Sequence, residues 1–170
     1  MRVLWLIGMM GSGKTVVGAS IACQIGLAFI DTDERITAEH GHTIATLWDG
    51  AGEAGFRDLE ADQITRLIGS GEDCVVATGG GAVLRPANVE AMRSNGLVVW
   101  LTAGAEILAA RLGNDPTRPL LADGSVEGRL AELLAERRPF YADAAHHTVN
   151  TTNKHPQEVA REVIRLWNTS

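Results

Sequence analysis

The strongest constraint on the fold is a set of short, unbroken apolar runs. Val3–Ile7, Leu27–Ile30, Cys74–Ala77 and Leu97–Leu101 each carry four or five apolar residues without polar alternation, and a longer segment of helical character follows each. A strand with one wet face alternates; a strand without alternation is covered on both faces. Such strands interleaved with helices imply an α/β fold of three layers, a parallel sheet with helices on both sides. Ligands then bind beyond the carboxyl ends of the strands. A glycine cluster at 8–13, the pair Asp31 and Asp33, and the triple glycine Gly79-Gly80-Gly81 all fall at that edge.

The helical segments follow from period and punctuation. Lys14–Ile25 places Val17, Ile21 and Ile25 on one face and stops at Gly26. Residues 33–48 read as one or two short helices broken at Gly41, and Glu53–Ile68 as a longer one. Pro86–Arg93 suits a helix with proline in its first turn. Ala105–Leu112, Val126–Tyr141 (at least as far as Pro139) and Pro156–Trp167 complete the set, with His147–Val149 as a last strand. Residues 113–124 read as a loop.

A length of 170 residues fits one domain, 1–170. A net charge of -6 supplies no broad basic face for nucleic acid, and no apolar run reaches a membrane span. Cys23 and Cys74 sit in apolar stretches and read as buried free thiols of a cytoplasmic protein. Trp5, Trp48, Trp100 and Trp167 read as packing residues.

The residues Gly8-Met9-Met10-Gly11-Ser12-Gly13-Lys14-Thr15 fit G-x-x-x-x-G-K-[ST] between a strand and a helix, the context in which the motif is meaningful. Glycines let backbone N–H groups close around phosphate oxygens, and the helix N-terminus adds its positive dipole end. Lys14 is placed to reach the β- and γ-phosphates and the Thr15 hydroxyl to ligate Mg²⁺. Lys14 and Lys154 are the only lysines against thirteen arginines, so composition alone does not supply a lysine here.

The loop's subtype follows by comparison. Asn153-Lys154-His155-Pro156 has proline where a guanine-reading motif needs a carboxylate, and Val75-Val76-Ala77 ends in Thr78 and glycines where motor ATPases carry an aspartate. Asp31 is the acidic residue that closes an apolar strand, with Asp33 two residues on. In an extended segment alternate residues point the same way, which would aim both carboxylates at the phosphate site. The alternative is a helix N-cap followed by a first-turn acid.

With these features the sequence resembles the shikimate kinases. The matching residues run in family order: the phosphate loop 8–15, Phe29-Ile30-Asp31-Thr32-Asp33, Gly41 with Ile44, Glu53-Ala54-Gly55-Phe56-Arg57 with Glu60, Gly79-Gly80-Gly81, Arg118-Pro119-Leu120-Leu121, and Arg137 with Pro139 and Tyr141. The resemblance implies a P-loop kinase fold with a five-stranded parallel sheet, a substrate region at about 31–60 and a mobile lid at about 112–124. It implies transfer of the ATP γ-phosphoryl group, with Mg²⁺, to the 3-hydroxyl of shikimate, on the way to chorismate and the aromatic amino acids.

The same resemblance implies the site. Lys14, Asp33 and Arg118 would be catalytic. Gly11, Ser12, Gly13, Lys14, Thr15, Val16, Arg111 and Arg118 would bind ATP. Asp33, Arg57, Gly79, Gly80, Gly81 and Arg137 would bind shikimate, and Thr15 and Asp31 would hold the metal. Arginine's planar fork suits a carboxylate, and Glu60, three residues beyond Arg57, can orient it. The expected partners are ATP and shikimate, with no nucleic acid or membrane, and the expected state is a monomer. Val16 departs from a second hydroxyl common after the Lys-[ST] pair, and Asn150 from an aspartate. Kinases of gluconate or aminoshikimate, and a silent nucleotide-binding domain, are the competing readings; retention of Asp31, Asp33 and Arg118 speaks against the last.

Overall fold

The computed structural model describes residues 2–113 and 125–170. Five strands, β1 (Val3–Ile7), β2 (Ala28–Asp31), β3 (Cys74–Ala77), β4 (Gly96–Thr102) and β5 (His147–Asn150), form one parallel sheet in the order β2-β3-β1-β4-β5. Seven helices cover it among the described residues: α1 (Lys14–Ile25), α2 (Thr32–His40), α3 (Ile44–Ser70), α4 (Pro86–Ser94), α5 (Ala105–Leu112), α6 (Val126–Ala144) and α7 (Pro156–Thr169).

The unalternating pattern of β1 has its cause in two cores. Val3, Trp5 and Ile7 pack with Ile64 and Leu67 of α3, Met92 of α4 and Leu130, Leu133 and Tyr141 of α6. Leu4 and Leu6 face the other way, into Val17 and Ile21 of α1 and Val159, Val163 and Trp167 of α7. All five β1 residues are fully buried. The chain crosses from β1 to the β3 side first and returns to β4 later, so the strand order reverses beside β1. The carboxyl end of β1 is therefore the crevice where an open α/β sheet takes its ligand.

Several local expectations need correcting. The break at Gly41 (φ 67°) is present, and α3 is two helical segments meeting at a kink at Gly52 (φ 69°, ψ 177°), which lies between the two segments expected from sequence. Helix α6 passes through Pro139 to Ala144; proline forfeits one N–H there, a local loss that the buried Tyr141 and Ala144 beyond it outweigh. Both cysteines are free, but only Cys74 is buried; Cys23 is exposed on the solvent face of α1. Trp5, Trp100 and Trp167 are core residues, whereas Trp48 is half-buried and lines the main cavity. The lid expected at 112–124 lies, from residue 114 onward, outside the described residues, and Arg118 with it. Among the described residues no helix is long and apolar enough to cross a membrane.

Candidate active site

A cavity of about 620 Å³ opens at the carboxyl ends of β1, β2 and β3. Its floor is the loop between β1 and α1. Gly8 has φ 142° and Gly13, the N-cap of α1, φ 96°, left-handed conformations that suit glycine. A Cβ on Gly8 would also strike the backbone carbonyl of Leu101 in β4. Lys14 Nζ donates to the carbonyls of Gly8 at 2.8 Å and Met9 at 3.0 Å, so the ammonium folds back over its own loop. Gly11, Ser12, Gly13, Lys14, Thr15 and Val16 all line the cavity. Val16 is 60% exposed, an apolar side chain at the rim.

Asp31 and Asp33 both reach this cavity, but strand alternation is not the reason. Strand β2 ends at Asp31, which is the N-cap of α2: its Oδ1 accepts from the backbone N–H of Asp33 at 3.0 Å and of Glu34 at 3.4 Å. Its other oxygen, Oδ2, accepts from the Thr15 hydroxyl at 2.7 Å. Asp33 sits in the first helical turn and faces Gly79. The capping geometry is the device that aims both carboxylates at the cavity.

The opposite wall is built on α3, α6 and the triple glycine after β3. Arg57 is 7% exposed and Glu60 1% exposed, and Arg57 Nη1 pairs with Glu60 Oε2 one turn along. Nη2 bonds Glu53 at 3.2 Å, and the guanidinium lies over the Trp48 ring at 5.2 Å. Arg137, also buried, approaches the Gly80 carbonyl at 3.5 Å. The Nε–H groups of Arg57 and Arg137 and Oε1 of Glu60 are buried without a hydrogen-bond partner. Two buried, lining guanidinium groups with unspent donors fit an anion with several oxygens. The triple glycine serves these side chains first: a Cβ on Gly79 would collide with Glu60, and one on Gly81 with the Arg57 guanidinium. The Gly79 amide is already spent on Thr32 Oγ1 at 3.0 Å.

The far end of the cavity is closed by Arg111, Thr151, Lys154, Pro156 and Val159. Arg111 ties two loops together, donating to Gly11 O at 3.3 Å, Thr151 Oγ1 at 2.9 Å and Thr151 O at 2.7 Å. Asn150 Oδ1 accepts from Thr152 N–H at 2.8 Å and so shapes the turn before α7.

The shikimate kinase family model matches residues 10–168. The chain belongs to the shikimate kinase family. Relatives named shikimate kinase from Symbiobacterium thermophilum and Halorhodospira halophila are 45% and 44% identical, over 94% and 95% of this chain and 92% and 90% of theirs. A shikimate kinase structure from Acinetobacter baumannii, in complex with shikimate, superposes with a TM-score of 0.95 at 35% identity, covering 99% of this chain and 94% of that one. The Aquifex aeolicus shikimate kinase follows at TM-score 0.82 and 31% identity, over 96% and 95%.

Membership of the shikimate kinase family makes the chain an ATP-dependent kinase, of a kind that generally needs a divalent metal. The Thr15 hydroxyl and the Asp31 carboxylate, paired at the edge of the phosphate loop, offer hard oxygen donors of the type that Mg²⁺ takes alongside nucleotide phosphates. Sequence reasoning gave no role in the site to Thr32, Thr151 or Tyr141, and read Trp48 as packing. Thr32 and Tyr141 stood inside matched motifs; Trp48 and Thr151 reach the cavity through tertiary contacts that no local pattern encodes.

Burial pushes the Glu60 carboxyl up to about 7; Arg57 pulls it down, Asp33 pushes it further up and Arg137 pulls it down again. Unfolded, the same group titrates near 4.5. Between those values the folded chain holds the proton that the unfolded chain releases, so this contribution to stability is complete below about pH 4.5 and lost as pH rises through about 7. Chemical denaturation across that window is expected to show a falling component, approaching about 1.4 kcal/mol per pH unit at mid-window, that Glu60→Gln lacks. Identical pH slopes for the two proteins would refute the assignment.

Proposed function

We propose that this enzyme transfers the γ-phosphoryl group of ATP, with Mg²⁺, to the 3-hydroxyl of shikimate. One observation carries the reading: two buried arginines with unspent donors, Arg57 and Arg137, share a single cavity with the phosphate loop and the Asp31–Asp33 turn. Shikimate is a small ring acid with three hydroxyls. Its carboxylate suits the two guanidinium groups, held in place by Glu60 and the Gly80 carbonyl. The hydroxyl edge of the ring then faces Asp33.

The residues work mainly by placement. Phosphoryl transfer passes through a loose transition state, in which alignment and charge neutralisation outweigh early deprotonation of the nucleophile. Asp33 holds the acceptor hydroxyl in line and accepts its proton as the bond forms. Lys14 exchanges the Gly8 and Met9 carbonyls for phosphate oxygens. The loop amides of Gly11–Thr15 cradle the phosphates, and Thr15 with Asp31 would hold Mg²⁺. That ion, when bound, shields the charge of the β- and γ-phosphates. Arg111 anchors the base end, and Arg118 is assigned by family match to the phosphates.

The test is an ADP-release assay run with shikimate, quinate, aminoshikimate and gluconate in parallel. Shikimate is expected to give the highest kcat/KM, and a preference for gluconate would overturn the reading. Arg57→Ala is expected to weaken shikimate binding by about 1.5–3 kcal/mol, the worth of a charged hydrogen bond, with ADP affinity nearly unchanged. Equal losses for both ligands would make Arg57 a purely structural residue.

A further inference from the structure

The phosphate loop and the triple glycine are neighbours, and one side chain outside both contacts each of them. Tyr141 is fully buried on α6, one turn after Arg137. Its hydroxyl lies 2.5 Å from the Gly80 carbonyl and 3.4 Å from Met9 Sδ in the phosphate loop. Its ring stacks on Trp100 of β4, centroids 5.6 Å apart and planes at 20°. Gly80 itself rests against the loop, since the place of its missing Cβ is 3.5 Å from Gly8 O and 3.7 Å from Met10 N.

We propose that Tyr141 is a positioning residue that couples the nucleotide loop to the acceptor wall, so that occupation of one improves the geometry of the other. The phenol has a single hydrogen, and the two distances give it to the Gly80 carbonyl rather than to the sulfur. The peptide bonds here are trans, so fixing the Gly80 carbonyl toward Tyr141 turns the Gly81 N–H the opposite way. Arg137 approaches the same carbonyl, so the hydroxyl also fixes where one arm of the acid clamp can rest. On the nucleotide side, the Met9 carbonyl accepts from Lys14, and the Met9 sulfur lies in contact with the phenol oxygen at 3.4 Å. A displacement of Lys14 toward a phosphate is therefore felt at Met9, at the phenol and at Gly80 in turn. Burial holds the phenol well above its ordinary range, so it remains a donor at neutral pH.

This inference rests on the kinase reading above but is tested apart from it. Tyr141→Phe keeps the ring on Trp100 and removes only the hydroxyl. Calorimetry with ADP, with shikimate, and with each in the presence of the other gives both affinities and the factor by which one ligand tightens the other. In the variant, shikimate affinity is expected to fall about 5- to 20-fold, the scale of a lost buried hydrogen bond and of ordinary site coupling. ADP affinity alone should stay within about twofold, and the tightening factor should approach one. Parallel losses for both ligands, tracking a lowered melting temperature, would reduce Tyr141 to a structural role and overturn the proposal.

A second readout needs no acceptor. Amide exchange in the wild-type enzyme should slow at residues 78–84 when ADP is added, and Tyr141→Phe should lose that response while keeping the one at 8–15. Protection confined to 8–15 in the wild type, or unchanged at 78–84 in the variant, would refute the coupling. A wild-type protein that gives no heat with shikimate would sink the functional reading and leave the exchange comparison to decide this one.

Discussion

Lys14→Ala is expected to yield a folded protein whose kcat is lower by at least ~10³-fold, a loss of about 4 kcal/mol of transition-state stabilisation. Lys14 opens α1 but belongs to neither hydrophobic core. Lys14 Nζ donates to the carbonyls of Gly8 and Met9, part of the loop it would serve. Losing the side chain therefore removes a charge from the reacting phosphates without removing packing, and the melting temperature should move by only a few degrees. ADP affinity should fall far less than turnover, because the backbone amides and the α1 dipole remain. Lys14→Arg should recover little: the ammonium fits between two loop carbonyls as a compact point charge, and a planar guanidinium does not. Turnover of Lys14→Ala within about tenfold of wild type, measured by ADP release, would remove Lys14 from the reaction.

What the sequence disclosed depends on how local its cause was. The five strands and most of the helices were legible because β1, β3 and β4 are covered on both faces and show it as unbroken apolar runs. The phosphate loop was legible because its backbone conformation demands glycine at fixed spacing and its neighbours are a strand and a helix. The arginine wall was legible only by resemblance: nothing in the residues around Arg57 says that it is buried, and its contact with Glu60 could as well have been an exposed pair of small worth. The Arg57 guanidinium lies against Gly81, Trp48 and Glu60, and the approach of the 79–81 segment is a tertiary fact. Asp31 and Asp33 were picked out for a partly wrong reason: both line the cavity, but a helix cap and not strand alternation puts them there. Trp48 packs as expected, on Phe56 and beneath the Arg57 guanidinium, but it does so in the cavity wall, a placement that no local pattern around it encodes.

The triple glycine separates two explanations that the sequence left entangled, and alanine at each position tells them apart. None of the three has a left-handed φ, so alanine is not excluded by backbone conformation at any of them. Space alone distinguishes them. A Cβ on Gly79 would overlap Glu60 Oε1 and lie 2.7 Å from Asp33 Oδ1; a Cβ on Gly81 would overlap the Arg57 guanidinium. At Gly80 the nearest atoms would stand at 3.5–3.7 Å, ordinary van der Waals contact. Gly81→Ala should therefore push Arg57 off Glu60, leave a buried carboxylate without its main partner, and cost about 3–5 kcal/mol of stability. Shikimate affinity should fall at least as far as in Arg57→Ala. Gly79→Ala should behave similarly through Glu60 and Asp33. Gly80→Ala should keep shikimate affinity within about threefold and gain a few tenths of a kcal/mol of stability from a stiffer unfolded chain. Denaturation and shikimate titration of the three variants check this directly. If the glycines exist instead to let a ligand approach the backbone, half-buried Gly80 becomes the position whose alanine most harms shikimate binding while sparing stability. That order of effects would overturn the claim that residues 79–81 are glycine to seat the buried ion pair.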